Sequence, residues 1–386
     1  MYHGRFEAQK PQKSQKPKKK GKAGKIVLIV LAVVLLLLVV VGIVGYQYMR
    51  SIFAKTNYIE MPTKTYPTEV STEPAMQAPT IPEQTEQADV TTEPTTVETT
   101  RPPMKPEDII NVLVMGDSSR AGEEARNADT MILVSLNTYT NTVTLTSILR
   151  DAFVKLPDYK GHECGRSKMT FCYNLGYQWG GGEAGGFEMT NLCLYNNFGI
   201  DVDYNVIIDF EHFINIIDYC GGVLIELTPQ EADYLNSDTV YVKTPVTEGV
   251  NRLDGMAALC FARMRHAEGD NDSDITRTSR QRRLISALVE QFRYYDLKEL
   301  KNLIEVVMPF ITTTMDPDTM MGLVAKMLPM LVNLKIESGE CPYADSKSRW
   351  GDMVDIFSDG NTHSVIRFDE ALNKKHMRAI TEGITE

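Results

Sequence analysis

From Ile26 to Val44 the chain is an unbroken apolar run of Val, Leu and Ile with Gly42 and Ala32 among them. At 1.5 Å per residue such a run is long enough to cross the hydrocarbon core of a bilayer, and nothing folded in water can bury it easily. The flank before it is basic, with Lys10, Lys13, Lys16, Lys18, Lys19, Lys20, Lys22 and Lys25, whereas Arg50 and Lys55 are the cations just after it. This asymmetry predicts a cytoplasmic basic tail (1–25), a retained transmembrane helix (26–46) and everything beyond it outside the membrane. The run is too long for the apolar region of a cleaved signal peptide, and no small-x-small cleavage site follows closely. Topology and anionic headgroups account for the lysines, so they require no nucleic acid.

Residues 47–106 are rich in Thr, Pro and Glu, with no aromatic residue between Tyr66 and Tyr139. A segment so poor in apolar area cannot offset its ordering entropy, so it is expected to be a disordered extracytoplasmic stalk. Fifty such residues would reach roughly 40 Å. The remaining 280 or so suffice for one large domain. Six cysteines, from Cys164 to Cys341, show no CxxC spacing, which argues against zinc and leaves disulfides and buried thiols both open.

Ile109–Met115, Met131–Leu136 and Val143–Ile148 read as strands, the last two joined by a hairpin across 137–142. A glycine-rich loop through Gly186 is expected next, then a helix over Phe187–Phe198 ending at Gly199. Tyr204–Asp209 and Val223–Leu227 read as strands, and Phe210–Cys220, Leu253–Arg263 and Thr276–Tyr294 as helices, with more helix through Leu331. Strands alternating with helices predict an α/β layered domain with a central mixed sheet flanked by helices, over 107–335. Residues 336–386 are expected to pack on it as an extension.

The whole chain carries 40 basic and 51 acidic side chains. Without the basic tail, 31 and 50 remain, a formal charge of −19. Against that background Arg263, Arg265, Arg277, Arg280, Arg282 and Arg283 crowd into one short stretch. Guanidinium groups bind phosphate oxygens bidentately. Arg282 and Arg283 fit a solvated helix face better than a site. Asp274, Arg277 and Gln281 fall on one helical stripe with Leu284 and Leu288. The polar end of that stripe would lie in the first helical turn, where free N–H groups favour an anion. Asp274 is either the cap of this helix or an acid in the site. Asp117 and Asp129 end and open neighbouring strands, a placement that suits Mg²⁺ as well as ordinary turn chemistry. Arg150 follows a strand at the same edge. The P-loop pattern GxxxxGK[ST] does not occur, which disfavours nucleotide binding of that kind.

Several segments occur in an order that resembles the LytR–CpsA–Psr family of Gram-positive cell-envelope proteins. They are Asn111-Val-Leu-Val-Met-Gly-Asp117, Ala128-Asp-Thr-Met131, Ser147-Ile-Leu-Arg-Asp151, Phe198-Gly-Ile-Asp201, Val206-Ile-Ile-Asp-Phe210, Gly221-Gly-Val223 and Arg263-Met-Arg265 followed by Asp274-x-x-Arg277-x-x-Arg280-Gln281. The resemblance implies transfer of a phosphate-linked glycopolymer from a polyprenyl-diphosphate carrier in the lipid bilayer to peptidoglycan. It implies Asp117 and Asp129 as ligands of Mg²⁺, with Mn²⁺ as a substitute ion. It also implies Arg126, Arg150, Arg263, Arg265, Arg277, Arg280 and Gln281 as the diphosphate cradle, with Arg150, Asp274 and Arg277 carrying the chemistry. The chain departs from the family where Arg-x-Asp is usual: here Arg126-Asn-Ala-Asp129 displaces the arginine by one residue, and the glycine-rich, cysteine-containing segment 161–193 also differs. A hydrolase of the same lipid diphosphate and a non-enzymatic envelope regulator are the competing readings. The regulator would need a cytoplasmic effector, yet only the basic tail lies inside.

Overall fold

The structure is a computed structural model and describes residues 44–64, 104–117, 126–238, 241–265, 274–345, 348–358 and 360–383. The chain divides into two units, residues 1–51 and 52–386. In the first, residues 44–51 are helical. The expected membrane span up to residue 43 and most of the expected stalk lie outside the described residues. Among the described residues, no helix is long and apolar enough to cross a membrane.

The second unit is built on strands β1 (Asn57–Tyr58), β2 (Ile109–Asp117), β3 (Ala128–Asn137) and β4 (Thr142–Ile148). Next come β5 (Phe153–Lys155), β6 (Arg166–Lys168), β7 (Tyr204–Asp209), β8 (Val223–Leu227) and β9 (Gly249–Leu253). The last are β10 (Thr312–Thr313), β11 (Lys335–Cys341), β12 (Arg349–Val354) and β13 (His363–Phe368). Seven strands form the central sheet in the order β1-β10-β7-β2-β3-β4-β11. Pairing of β7 with β2 and of β4 with β11 is parallel, while β2, β3 and β4 run antiparallel to one another. The sheet is mixed, as the alternation of strands and helices predicts.

Both faces are covered, which is why β2 reads as a continuous apolar run. On one face Leu113, Met115, Met131 and Leu133 pack under helices α1 (Phe171–Gly180) and α2 (Glu183–Phe198). Helix α2 stops where Gly199 turns left-handed (φ 69°) and donates its N–H to the carbonyls of Leu194 and Tyr195, a conformation a side chain would resist. Over the other face lie α3 (Phe210–Tyr219) and α5 (Gly255–Arg263), with α4 (Pro229–Ser237) packed on α5 and on β8. Crossing them is α6 (Asp274–Phe292), whose Ile285 and Val289 sit on Ile132 and Leu145. Helices α7 (Leu297–Val307), α8 (Pro317–Met327) and α9 (Glu370–Thr381) complete the unit.

The observed organisation differs from the sequence expectations at four places. The expected glycine-rich loop contains β6 and the whole of α1. A Cβ on Gly176 would lie 2.3 Å from the carbonyl oxygen of Gly185, and one on Gly185 would lie 2.4 Å from that of Gly176. The glycines are there so that α1 and α2 touch backbone to backbone. Strand β8 does not join the central sheet; it pairs with β9 in a separate hairpin. Residues beyond 335 are no appended extension, because β11 pairs with β4 along its full length and Met377 of α9 is fully buried in the core. Finally, the expected stalk begins inside the domain: Ile52 and Phe53 are buried, and β1 forms a sheet edge on β10.

Candidate functional site

The site lies where β2 ends, β3 begins and β4 runs out, under the first turns of α6. Gly116 pairs with Thr130, but Asp117 pairs with Ala128, so Asp129 is an extra residue in a bulge. Bulges re-aim side chains at sheet rims. Asp117 is buried and lies 3.5 Å from Arg126 Nη1. Asp129 accepts a hydrogen bond from Arg150 Nη1 at 3.0 Å, and Arg150 also lies 3.6 Å from Asp151, which holds Lys168 at 2.8 Å.

Helix α6 arrives over these strand ends with its residues sorted by face. Arg277, Gln281, Leu284 and Leu288 line one cavity of about 240 Å³, the stripe expected from steps of three and four. Arg277 is only 3% exposed, and its Nη2 reaches the backbone oxygen of Asp129 at 3.4 Å. Gln281 donates to Thr130 Oγ1 at 2.9 Å. Arg263 and Arg265, from the end of α5 and the residues after it, line the same cavity. Arg263 stacks over the Phe210 ring, 4.9 Å from its centroid. Beyond this cationic mouth the walls are apolar: Ile132, Ile208, Phe213, Ile216, Leu284 and Ile285.

Other members of the expected cradle go elsewhere. Arg280 is buried, donates to Glu231 Oε1 at 2.9 Å and to the Met264 carbonyl at 3.3 Å, and does not line the cavity. Arg282 and Arg283, expected on a solvated face, are both engaged. Arg282 is buried against Ser147 (2.6 Å) and Glu340 (3.2 Å), and Arg283 lies 2.7 Å from Glu231. Burial opposes the charge of Glu231, but hydrogen bonds from Arg283, the Thr228 backbone and Arg280 outweigh it and hold its carboxyl below the ordinary range. These arginines brace the helix. Asp274 is the first residue of α6, and its side chain lies outside the described residues.

Three residues not singled out in the sequence surround Arg126. Glu183 accepts from its Nη1 at 2.7 Å, the Tyr177 ring lies 5.0 Å beneath it, and Tyr173 donates its hydroxyl to Glu183. Burial works against the charge of Arg126, yet Glu183, Tyr177 and Asp117 raise its pKa above the ordinary value. Burial and then the Glu183 charge push Tyr173 far up, so it remains a donor. Glu183 was detectable as the one acid among the glycines of 176–186.

A cavity with guanidinium groups at its mouth and hydrocarbon walls suits an amphiphile with an acidic head. Its volume is below that of most small-molecule sites, so it holds only part of a long hydrocarbon chain. A larger groove of about 650 Å³ lies along the other side of α6, lined by Arg282, Arg283, Ser279 and the β8–β9 hairpin. None of Asp117, Asp129 or Arg150 lines it. Asp117 and Asp129 are hard oxygen donors on adjoining strand ends. Two such carboxylates fit Mg²⁺, which keeps water and phosphate oxygens in its remaining positions. Among the described residues, no group of three or more His, Cys, Asp or Glu could hold a metal by itself.

Comparison with known proteins gives one consistent result. The LytR_cpsA_psr family model matches residues 72–371. The polyisoprenyl-teichoic acid–peptidoglycan teichoic acid transferase TagU of Bacillus subtilis is 30% identical over 184 residues, 48% of this chain and 52% of that protein. Biofilm regulatory protein A of Streptococcus mutans is 29% identical over 181 residues, 47% and 42% of the two chains. The chain thus spans about half the length of these curated relatives. Among solved structures, YwtF (TagT) with bound octaprenyl pyrophosphate lipid is 19% identical with a TM-score of 0.50, covering 75% of this chain and 96% of that one. At that identity the likeness is one of fold.

Proposed function

Since the chain belongs to the LytR_cpsA_psr family, we propose that it transfers a phosphate-linked glycopolymer from a polyprenyl-diphosphate carrier to peptidoglycan. The observation that carries this reading is the cavity whose mouth gathers Asp129, Arg263, Arg265, Arg277 and Gln281 and whose walls are apolar. TagU is named for transfer of teichoic acid to peptidoglycan, and the YwtF structure holds a polyprenyl pyrophosphate. Both agree with a donor whose diphosphate sits among the arginines and whose tail enters the cavity.

In this reading an acceptor hydroxyl attacks the phosphorus that carries the polymer. A new P–O bond forms, the bond to the bridging oxygen breaks, and polyprenyl phosphate leaves. Arg150 and Arg277 stabilise charge on the non-bridging oxygens, where positioning and electrostatics supply most of the catalysis. The hydroxyl proton passes to a carboxylate, which we assign to Asp274 at the start of α6. Asp117 and Asp129 would hold Mg²⁺, which would neutralise part of the diphosphate charge. Arg126 lies 3.5 Å from Asp117 and would help to hold it in place. The apolar run 26–44 anchors the chain, with the domain on the outer side.

Purified full-length chain, mixed with lipid-linked polymer and peptidoglycan, should yield polymer covalently bound to the glycan. Release of free polymer at the same rate without acceptor would make the chain a hydrolase instead. Neither product would leave the regulator reading.

A further inference from the structure

Residues 176–186 hold six glycines and a single acid, Glu183, and the transfer as described uses none of them. Their packing serves that acid. A Cβ on Gly180 would lie 2.5 Å from the Gly185 Cα, and one on Gly186 would lie 2.6 Å from the Tyr173 ring. Side chains at these positions would push α1 and α2 apart. Gly182, just before α2, has φ 104°, a region that favours glycine. The turn it makes sets Glu183 at the first position of α2, where it reaches both Arg126 and Tyr173.

One nitrogen of Arg126 stands between two carboxylates. Its Nη1 donates to Glu183 Oε1 at 2.7 Å and lies 3.5 Å from Asp117 Oδ2. The first is a charge-assisted hydrogen bond, and the second is an ion pair too long for a good one. Glu183 therefore has the closer hold on the guanidinium. Three contacts from α1 fix the two partners in this arrangement. Tyr173, only 1% exposed, donates its hydroxyl to Glu183. The Tyr177 ring lies beneath the guanidinium. Asn174 accepts from the Arg126 backbone N–H at 3.0 Å.

We propose that Glu183 is a positioning residue for the cation site: it balances the charge of Arg126, so that Asp117 stays available to a divalent cation. The proposal rests on reading Asp117 and Asp129 as ligands of Mg²⁺. Arg126 and Glu183 offset each other as a pair, and Arg126 then steadies Asp117 without neutralising it. If Glu183 loses its charge, the guanidinium turns to Asp117 and competes with the cation for that carboxylate, which weakens cation binding. The glycines of the α1–α2 contact acquire a purpose in this reading. They bring Glu183 to an arginine 57 positions earlier in the chain.

The probe is Mn²⁺ alone, titrated into purified full-length chain without lipid donor, with free ion read by electron paramagnetic resonance. Binding that disappears in Asp117→Asn with Asp129→Asn defines the site. Glu183→Gln keeps the shape and can still accept from Tyr173 and Arg126, so it removes little besides the charge. It should raise the Mn²⁺ dissociation constant about fivefold or more. Arg126→Gln combined with Glu183→Gln removes both charges and should restore binding to within about twofold of the parent. Glu188→Gln is the control: Glu188 stands on the same helix and accepts from Tyr159 at 2.6 Å, and its variant should bind as the parent does. A Glu183 that serves the fold alone predicts a less stable Gln variant with unchanged Mn²⁺ affinity, and that result overturns the proposal. So does a double variant that binds no better than Glu183→Gln. A parent chain whose Mn²⁺ binding survives loss of both Asp117 and Asp129 overturns the metal reading and this proposal together. Transfer activity does not enter the measurement, so failure of the transferase reading is seen separately.

Discussion

Arg277 and Asp129, 148 positions apart, meet where the guanidinium Nη2 of the first lies 3.4 Å from the backbone oxygen of the second. The carboxylate of the same Asp129 is held by Arg150 at 3.0 Å. One bulged residue thus links the start of α6 to the end of β4, and two arginines come together around it.

Replacing Arg150 or Arg277 by Lys keeps the charge and loses the fork, so transfer should fall by at least tenfold with the fold intact. Alanine at either position should cost on the order of 10³-fold, as for arginines that stabilise a phosphoryl transition state. Rates are to be measured with lipid-linked donor, and circular dichroism checks folding. Near-normal turnover in both alanine variants would remove the arginines from the chemistry.

Asp117→Asn and Asp129→Asn should each weaken the response of transfer to added Mg²⁺, and together abolish it. Titrating Mg²⁺ after chelation reads this directly. A double variant with the parent's Mg²⁺ dependence would reduce both acids to partners of Arg126 and Arg150.

Glu231 carries a prediction about pH. Its folded carboxyl is held below the ordinary range, so its stabilisation is full above the unfolded value near 4.3 and is lost as pH falls through the lower folded value. Glu231→Gln should cost about 3 kcal/mol at pH 7, because Arg280 and Arg283 lose their charged partner. The difference from the parent should shrink as pH drops below about 4. Urea unfolding at pH 7 and pH 3 measures it. A gap of the same size at both values would mean that Glu231 does not act through its charge.

Gly176→Ala should destabilise the domain by about 1–3 kcal/mol, because its Cβ would be forced against the Gly185 backbone. Thermal unfolding of Gly176→Ala beside Gly181→Ala separates crowding from backbone strain. Gly181 turns left-handed with open space around its Cβ position, so its alanine variant reports strain alone. A Gly176 variant as stable as the parent would show that α1 and α2 can move apart.

The parts legible in the sequence were those whose signal is local. The runs that became β2, β3 and β4 announce buried strands by apolar content alone, and the three- and four-residue steps from Arg277 to Leu288 place one face of α6 on the cavity. Glycine misled where it served a distant partner: Gly176 and Gly185 look like loop formers until α1 and α2 are seen in contact. The fates of Arg280, Arg282 and Arg283 depend on Glu231 and Glu340, acids 49 and 58 positions away from Arg280 and Arg282, and no periodicity carries that information. Strand β9, Gly-Val-Asn-Arg-Leu, lacks an apolar run and exists because β8 pairs with it.

Both borders of the central sheet are set by sequence-distant partners. β1, near residue 57, waits for β10 near residue 312, and β4 waits for β11, which ends at Cys341. A chain delivered N-terminus first therefore shows bare strand borders until nearly nine-tenths of it has emerged. Bare borders invite pairing with other chains, and such non-local pairing is slow. Truncations that stop short of residue 341 should yield sticky, incomplete sheets instead of smaller working domains. The last fifty residues decide whether the earlier ones remain apart from their neighbours.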